Sequence, residues 1–151
     1  MSERKLTETG TLLATFHVRQ ALCALDAASV QEVIRFRAPT PIRHAPAEIL
    51  GVINLRGKIV TLLDLGRILG FGPASAGTES RIFIVEDRGE FLGLLVDSVE
   101  GVIEAEAQTR GPLPANVPAS QARFFRGVHR SHGNVITLLN ASEIFAEGRA
   151  A

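Results

Sequence analysis

Short runs of Val, Ile, Leu, Thr and Phe, separated by Gly, Pro, Asn or Asp, recur along the chain. A break about every eight to twelve residues is the pattern of strands joined by turns. It predicts strands over Thr11 to Val18, Ala21 to Leu25, Val33 to Arg37, Gly51 to Leu55, Lys58 to Leu62, Arg81 to Glu86, Glu90 to Val96, Val102 to Ala105, Phe124 to Arg130 and Asn134 to Leu138. Helical pieces are short and few. Asp26 is placed to cap a turn through Ala27 to Gln31, and Pro46 to open one over Ala47 to Leu50. Asp64 and Asn140 each follow a strand and precede a segment, GRILG or ASEIF, with room for one or two helical turns.

The pattern also repeats. Gly51 to Leu69 lies over Gly127 to Phe145 at a constant offset of 76 with no gap in nineteen positions, of which seven are identical. These include the turn glycines Gly57 and Gly133 and the triplets Thr61-Leu62-Leu63 and Thr137-Leu138-Leu139. Asp64 and Asn140 fall in register, so the capping role survives although the charge does not. Ser29 to Ile34 matches Ser98 to Ile103 at an offset of 69, with four identities in six. The difference between the offsets assigns the second copy a seven-residue insertion around Arg110 to Ser120. We therefore expect one domain over residues 1–151 made of two copies of a five-stranded unit, about 11–69 and 81–145, joined by the small-residue segment FGPASAGTES. About sixty residues are too few for a comfortable core. The halves should therefore bury apolar faces against each other and leave a groove along the seam.

Composition narrows the function. Hydrophobic residues make up 46% of the 151 and charged residues 21%, a globular ratio. Sixteen Lys and Arg balance sixteen Asp and Glu, so no net field favours nucleic acid or an anionic membrane. The longest apolar stretch, Ile53 to Leu63, is interrupted by Asn54, Arg56 and Lys58 and is too short to span a bilayer. The first ten residues lack the apolar run of a signal peptide and read as a loose leader. A single cysteine, Cys23, fits a reducing compartment, the cytoplasm.

No catalytic grouping emerges. Gly51 to Lys58 has the wrong glycine spacing for a phosphate loop and carries Ile59 where a magnesium-binding hydroxyl belongs. Gly66 to Gly72 lacks the dinucleotide fingerprint. His129 and His132, with no Cys or Glu nearby, read as a solvated hairpin, while His17 and His44 stand alone. Cys23, between Leu22 and Ala24, reads as a small core residue. Arg123, Arg126 and Arg130 with Phe124 and Phe125 form a basic and aromatic cluster, but strand alternation would turn its phenylalanines to opposite faces, against a nucleic-acid platform. We expect no enzyme activity, no cofactor and no metal.

The turn Asn54-Leu55-Arg56-Gly57-Lys58 has a shape of its own. Asn and Gly tolerate positive φ, so the turn is sharp and projects Leu55 and Arg56 as a candidate interface anchor. The alternative, that Arg56 is only a solvated turn residue, stands equal to it on sequence. Ser131-His132-Gly133 replaces Leu55-Arg56-Gly57 in the second copy, which implies different contacts there.

SVQEVI (Ser29 to Ile34), PAEILGVINLRGKIVTLLDL (Pro46 to Leu65), FLGLLVDSVEGVI (Phe91 to Ile103) and FFRGVHRSHGNVITLLNASEIF (Phe124 to Phe145) together resemble the CheW family of bacterial chemotaxis coupling proteins over nearly the whole chain. The resemblance implies a mostly β fold, two pseudo-symmetric five-stranded SH3-like β-barrels packed on a shared hydrophobic seam, with a few short helices. It implies a non-enzymatic adaptor that bridges the cytoplasmic tip of chemoreceptors, the methyl-accepting chemotaxis proteins, to the regulatory domain of the histidine kinase CheA, in cytoplasmic arrays beneath the inner membrane. Carried over position by position, the kinase-facing surface includes Val30, Glu32 and Val33; Asn54, Leu55, Arg56 and Gly57 lie near both partners; and the receptor tip lies in the seam against Val96 and Val99. Two departures, Thr61 where proline is common and Leu22-Cys23-Ala24-Leu25 in place of an aromatic-glycine start, keep open a paralogue serving a pilus or surface-sensing pathway. From another class, a β-barrel module binding a ligand or nucleic acid in the seam is the remaining alternative.

Overall fold

A computed structural model describes residues 11–105, 110–111 and 118–150. The expected leader and most of the expected insertion lie outside these residues. The chain runs β1 (Thr11–Val18), β2 (Ala21–Asp26), a 3₁₀ turn (Ala27–Ser29), β3 (Val30–Arg35), β4 (Ile49–Leu55), β5 (Lys58–Asp64), α1 (Leu65–Ile68), β6 (Arg81–Asp87), β7 (Glu90–Val96), β8 (Ser98–Ala105), β9 (Arg110–Gly111), a second 3₁₀ turn (Ala122–Phe124), β10 (Phe125–Ser131), β11 (Asn134–Leu139) and α2 (Ala141–Ala150).

The strands form two sheets, ordered β8-β1-β2-β11-β10-β9 and β3-β6-β7-β5-β4. The fold is mostly β with few helices, as expected, but the sheets are open rather than closed barrels, and one has six strands because two-residue β9 joins it. The division into one unit per sequence half does not describe these sheets. Hairpin β1–β2 sits in the sheet otherwise built from the second half, and hairpin β6–β7 sits in the sheet otherwise built from the first. The halves have exchanged their first hairpins.

The repeat nevertheless holds residue by residue. Parallel pairing joins Thr61 of β5 to Leu92 of β7, and Thr137 of β11 to Cys23 of β2, related by the same offsets of 76 and 69. Bulges fall at Ile49/Gly51 and at Phe125/Gly127. The Asp64 amide donates to Glu48 O and the Asn140 amide to Phe124 O, each at 2.8 Å. Each repeat's cap also forms, Asp64 Oδ1 accepting from the Arg67 amide and Asn140 Oδ1 from the Glu143 amide at 3.2 Å.

Three apolar clusters follow. Ile53, Leu55, Val60, Leu62, Ile82, Ile84 and Leu95 fill the five-stranded sheet, and Leu13, Ala24, Ala105, Ile136 and Leu138 the six-stranded one. The largest cluster lies between them and draws on both, with Phe16 of β1 packed edge-on to Phe83 of β6 at 4.8 Å. Strands β6 and β7 read as nearly unbroken apolar runs because one face of each enters the five-stranded core and the other the seam. Edge strand β3 alternates half-buried and exposed positions.

Two local expectations change. No helix forms over Ala47 to Leu50, because Ile49 is already paired with Leu63 in β4. Asp26 caps nothing, because its carboxylate accepts a hydrogen bond from Arg126 at 3.2 Å and the turn behind it is only three residues long.

Candidate protein-docking site

The β4–β5 turn is built by its backbone. Leu55 and Lys58 face each other across Arg56 and Gly57, whose φ values are 50° and 87°. Two successive left-handed residues make a mirror-image turn that matches the twist of the strands. Asn54 closes it through Oδ1, which accepts from the Gly57 amide at 2.8 Å. Asn54 therefore shapes the turn by hydrogen bonding, and the left-handed positions are Arg56 and Gly57. Leu55 is buried, 7% exposed, in the core of the five-stranded sheet. The expectation that it projects is overturned, because alternation in β4 sends Leu55 inward and only Arg56 outward.

Arg56 hydrogen-bonds and ion-pairs with Glu32 on β3. Strands β3 and β4 are the two edges of the five-stranded sheet, so this pair fastens its open ends together. The hydrogen bond, aided by Coulomb attraction, raises the Arg56 guanidinium above its ordinary pKa, and it carries its charge at any physiological pH. A bulge between Val30 and Glu32 resets the register, so Val30 packs against the seam core while Ile34, on the same face as Glu32, packs against the five-stranded core.

Behind the pair lies a cavity of about 360 Å³ lined by Gln31, Glu32, Leu55, Arg56, Lys58, Val60, Ile84 and Phe91. Its floor is apolar and its rim charged, with Lys58 Nζ 4.2 Å from the centre of the Phe91 ring. Of the expected residues, Glu32, Leu55 and Arg56 meet here, while Asn54 and Gly57 form the turn beside them. Val33 is exposed on the other face of β3, and Val30 packs half-buried against the seam core. Sequence reasoning missed Gln31, Ile84 and Phe91, which only the pairing of β3, β6 and β7 brings into place.

The seam corrects one further expectation. Val96 has no exposed surface and belongs to the seam core, so it cannot line an open groove; Val99, 43% exposed on edge strand β8, can. A cleft of about 790 Å³ does open beside them, lined by Val18, Arg19, Gln20, Ala21, Phe71 and Asp97. Asp97 anchors it, accepting from the Arg19 amide at 2.9 Å and from the Ser75 hydroxyl at 3.0 Å. In the second copy Gly101 and His132 occupy the places of Glu32 and Arg56, so the ion pair has no counterpart.

The basic and aromatic cluster is dispersed. Phe124 and Phe125 are both buried, because the first closes a 3₁₀ turn and the second starts β10 at a bulge. Arg123 is held by Glu143 and Glu147, and Arg126 by Asp26. His129 is buried rather than solvated. Cys23 is buried, and loss of hydration pushes its thiol up to about 12, far from a nucleophile's range.

This geometry sets a charged, exposed turn beside a small cavity with an apolar floor, and comparison with known proteins decides the family. The model of the CheW-like domain matches residues 13–149. The chain belongs to the CheW-like family. It is 30% identical over 142 residues to the chemotaxis protein CheW of Rhizobium meliloti (strain 1021), covering 94% of this chain and 92% of that one. It is 31% identical over 136 residues to the protein FrzA of Myxococcus xanthus, covering 89% and 84%. The crystal structure of the scaffolding protein TtCheW from Thermoanaerobacter tengcongensis superposes with a TM-score of 0.78 at 33% identity, covering 87% of this chain and 89% of that one. The family is one of non-enzymatic scaffolds in chemotaxis signalling. Among the described residues no helix is long and apolar enough to cross a membrane.

Proposed function

We propose that this chain couples chemoreceptors to the regulatory domain of a CheA-type histidine kinase, at receptor arrays beneath the inner membrane. The kinase domain docks over the Glu32–Arg56 pair and its cavity, and the receptor tip at the seam beside Val99. The observation that carries the reading is the Glu32–Arg56 pair itself, which holds a charged, exposed turn in one position across the open edge of the sheet. A rigid turn of this kind transmits position, and position is what a scaffold contributes.

The test is sedimentation of the full chain with the regulatory domain of its cognate kinase. Association is expected in the micromolar range; none at high micromolar concentration overturns the reading. Arg56→Glu is expected to weaken association at least tenfold while thermal unfolding shifts little, since the pair with Glu32 is largely exposed and an exposed ion pair contributes little to stability. The charge-swapped Glu32→Arg/Arg56→Glu variant separates two roles. Recovery of binding assigns the pair the task of holding the turn, and continued loss assigns Arg56 a direct contact.

A further inference from the structure

The outward row of β3 continues beyond the expected contact residues. Gln31, Val33, Arg35 and Arg37 alternate with Glu32, Ile34 and Phe36, and all four are exposed. On the neighbouring strand Arg81 stands directly opposite Arg35. Like charges facing each other across a ladder oppose folding, whereas Arg56, Arg67, Arg123 and Arg126 are each held in ion pairs. Arg81 donates to the carbonyls of Thr78 and Ser80, which orients it and neutralises nothing. Arg35 and Arg37 have no carboxylate partner among the described residues, and Glu79, two residues before Arg81, forms no ion pair with any of the three.

We propose that Val33, Arg35, Arg37 and Arg81 form a cationic docking strip for a carboxylate-bearing segment of a protein partner, and this rests on the scaffold reading above. Arg35 faces Arg81 across the ladder, so the fold keeps a positive row on one edge at a cost in stability. An acidic protein segment fits it better than a polyanion. The row is short and leads with an apolar side chain, and in the other arginine cluster, near Phe124, Arg123 and Arg126 are already held by carboxylates. Arginine suits the task because its planar fork engages a carboxylate through two parallel hydrogen bonds.

Calorimetry of the full chain with the cognate kinase regulatory domain, and separately with a receptor-tip fragment, at 50 and 300 mM NaCl tests the strip. Binding to one of them is expected to weaken several-fold at the higher salt, because exposed charge pairs are screened. Arg35→Glu/Arg37→Glu is expected to lose at least tenfold in affinity for that partner and most of the salt dependence. It should unfold at no lower temperature than the wild type, since the carboxylate introduced at position 35 would face Arg81 with opposite charge. Unchanged affinity of the double variant for a partner that the wild type binds overturns the strip and leaves the scaffold reading standing. Failure of the wild type to bind either protein overturns both. Tighter binding of the wild type to a DNA duplex or to phosphatidylserine vesicles than to either protein also overturns the strip as a protein site.

Discussion

Leu55 and Arg56 are neighbours with opposite fates, and the difference is the pleat. The turn and its glycine are legible in the sequence, but which of two adjacent residues faces out depends on where the last ladder pair falls, and that pair is Leu55–Lys58. Val96 shows the same limit. It ends an apolar run that reads equally as a groove wall or as core, and only the packing of Phe16 and Val18 around it decides for core. Cys23 was legible, because a lone thiol between apolar neighbours is most often packing. Its burial makes a prediction. In the folded chain the thiol holds its proton up to about pH 12, whereas in the unfolded chain it ionises near its ordinary value of 9.0. Unfolding thus releases a proton between these values, and stability falls as pH rises through that window. Urea unfolding between pH 8.5 and 10.5 should show a steeper loss for the wild type than for Cys23→Ala. Equal slopes would mean that Cys23 reaches water in the native state.

At the scale of elements, the bulge at Gly51 holds the start of β4 against the loop before it. A Cβ at Gly51 would lie 2.2 Å from the Thr40 carbonyl oxygen, at a φ of 142° that side chains disfavour. Thr40 is itself tied to Val52 by two backbone hydrogen bonds of 2.8 and 2.9 Å, so it cannot retreat without breaking them. Gly51→Ala is expected to cost about 3 kcal/mol. Gly57→Ala has open space around it but keeps a φ of 87°; it is expected to cost roughly 1 kcal/mol. Chemical denaturation midpoints give both, and equal costs would refute the steric account of Gly51. The strand pattern revealed most elements to within a few residues. It shortened β3, β4 and β8 at their starts, where Val30, Ile49 and Ser98 join the ladders beside turn-forming residues. It also placed a helix at Ala47, since a proline before Ala and Glu satisfies the local rule for a helix start while long-range pairing of Ile49 overrides it.

For the whole molecule, the repeat is written in the sequence and the exchange of hairpins is not. An internal match at two offsets states that two units are alike. It carries no information on whether β1–β2 returns to its own half or crosses to the other, because both choices pair equivalent residues. The structure chooses crossing, and each sheet then receives its central strands from the opposite half: β6 and β7 lie between β3 and β5, and β1 and β2 between β8 and β11. Neither half alone can complete a sheet in this arrangement, since removing the other takes away the middle rather than an edge. Severing the chain between Gly77 and Thr78, in the connector that joins the halves, tests this. Residues 1–77 and 78–151 prepared separately should show no cooperative unfolding transition. Mixed in equal amounts, they should recover one whose midpoint rises with concentration, as association-linked folding requires. A fragment that folds cooperatively alone would mean that β1–β2 or β6–β7 closes onto its own half, and the seam would then be an ordinary contact between two independent units.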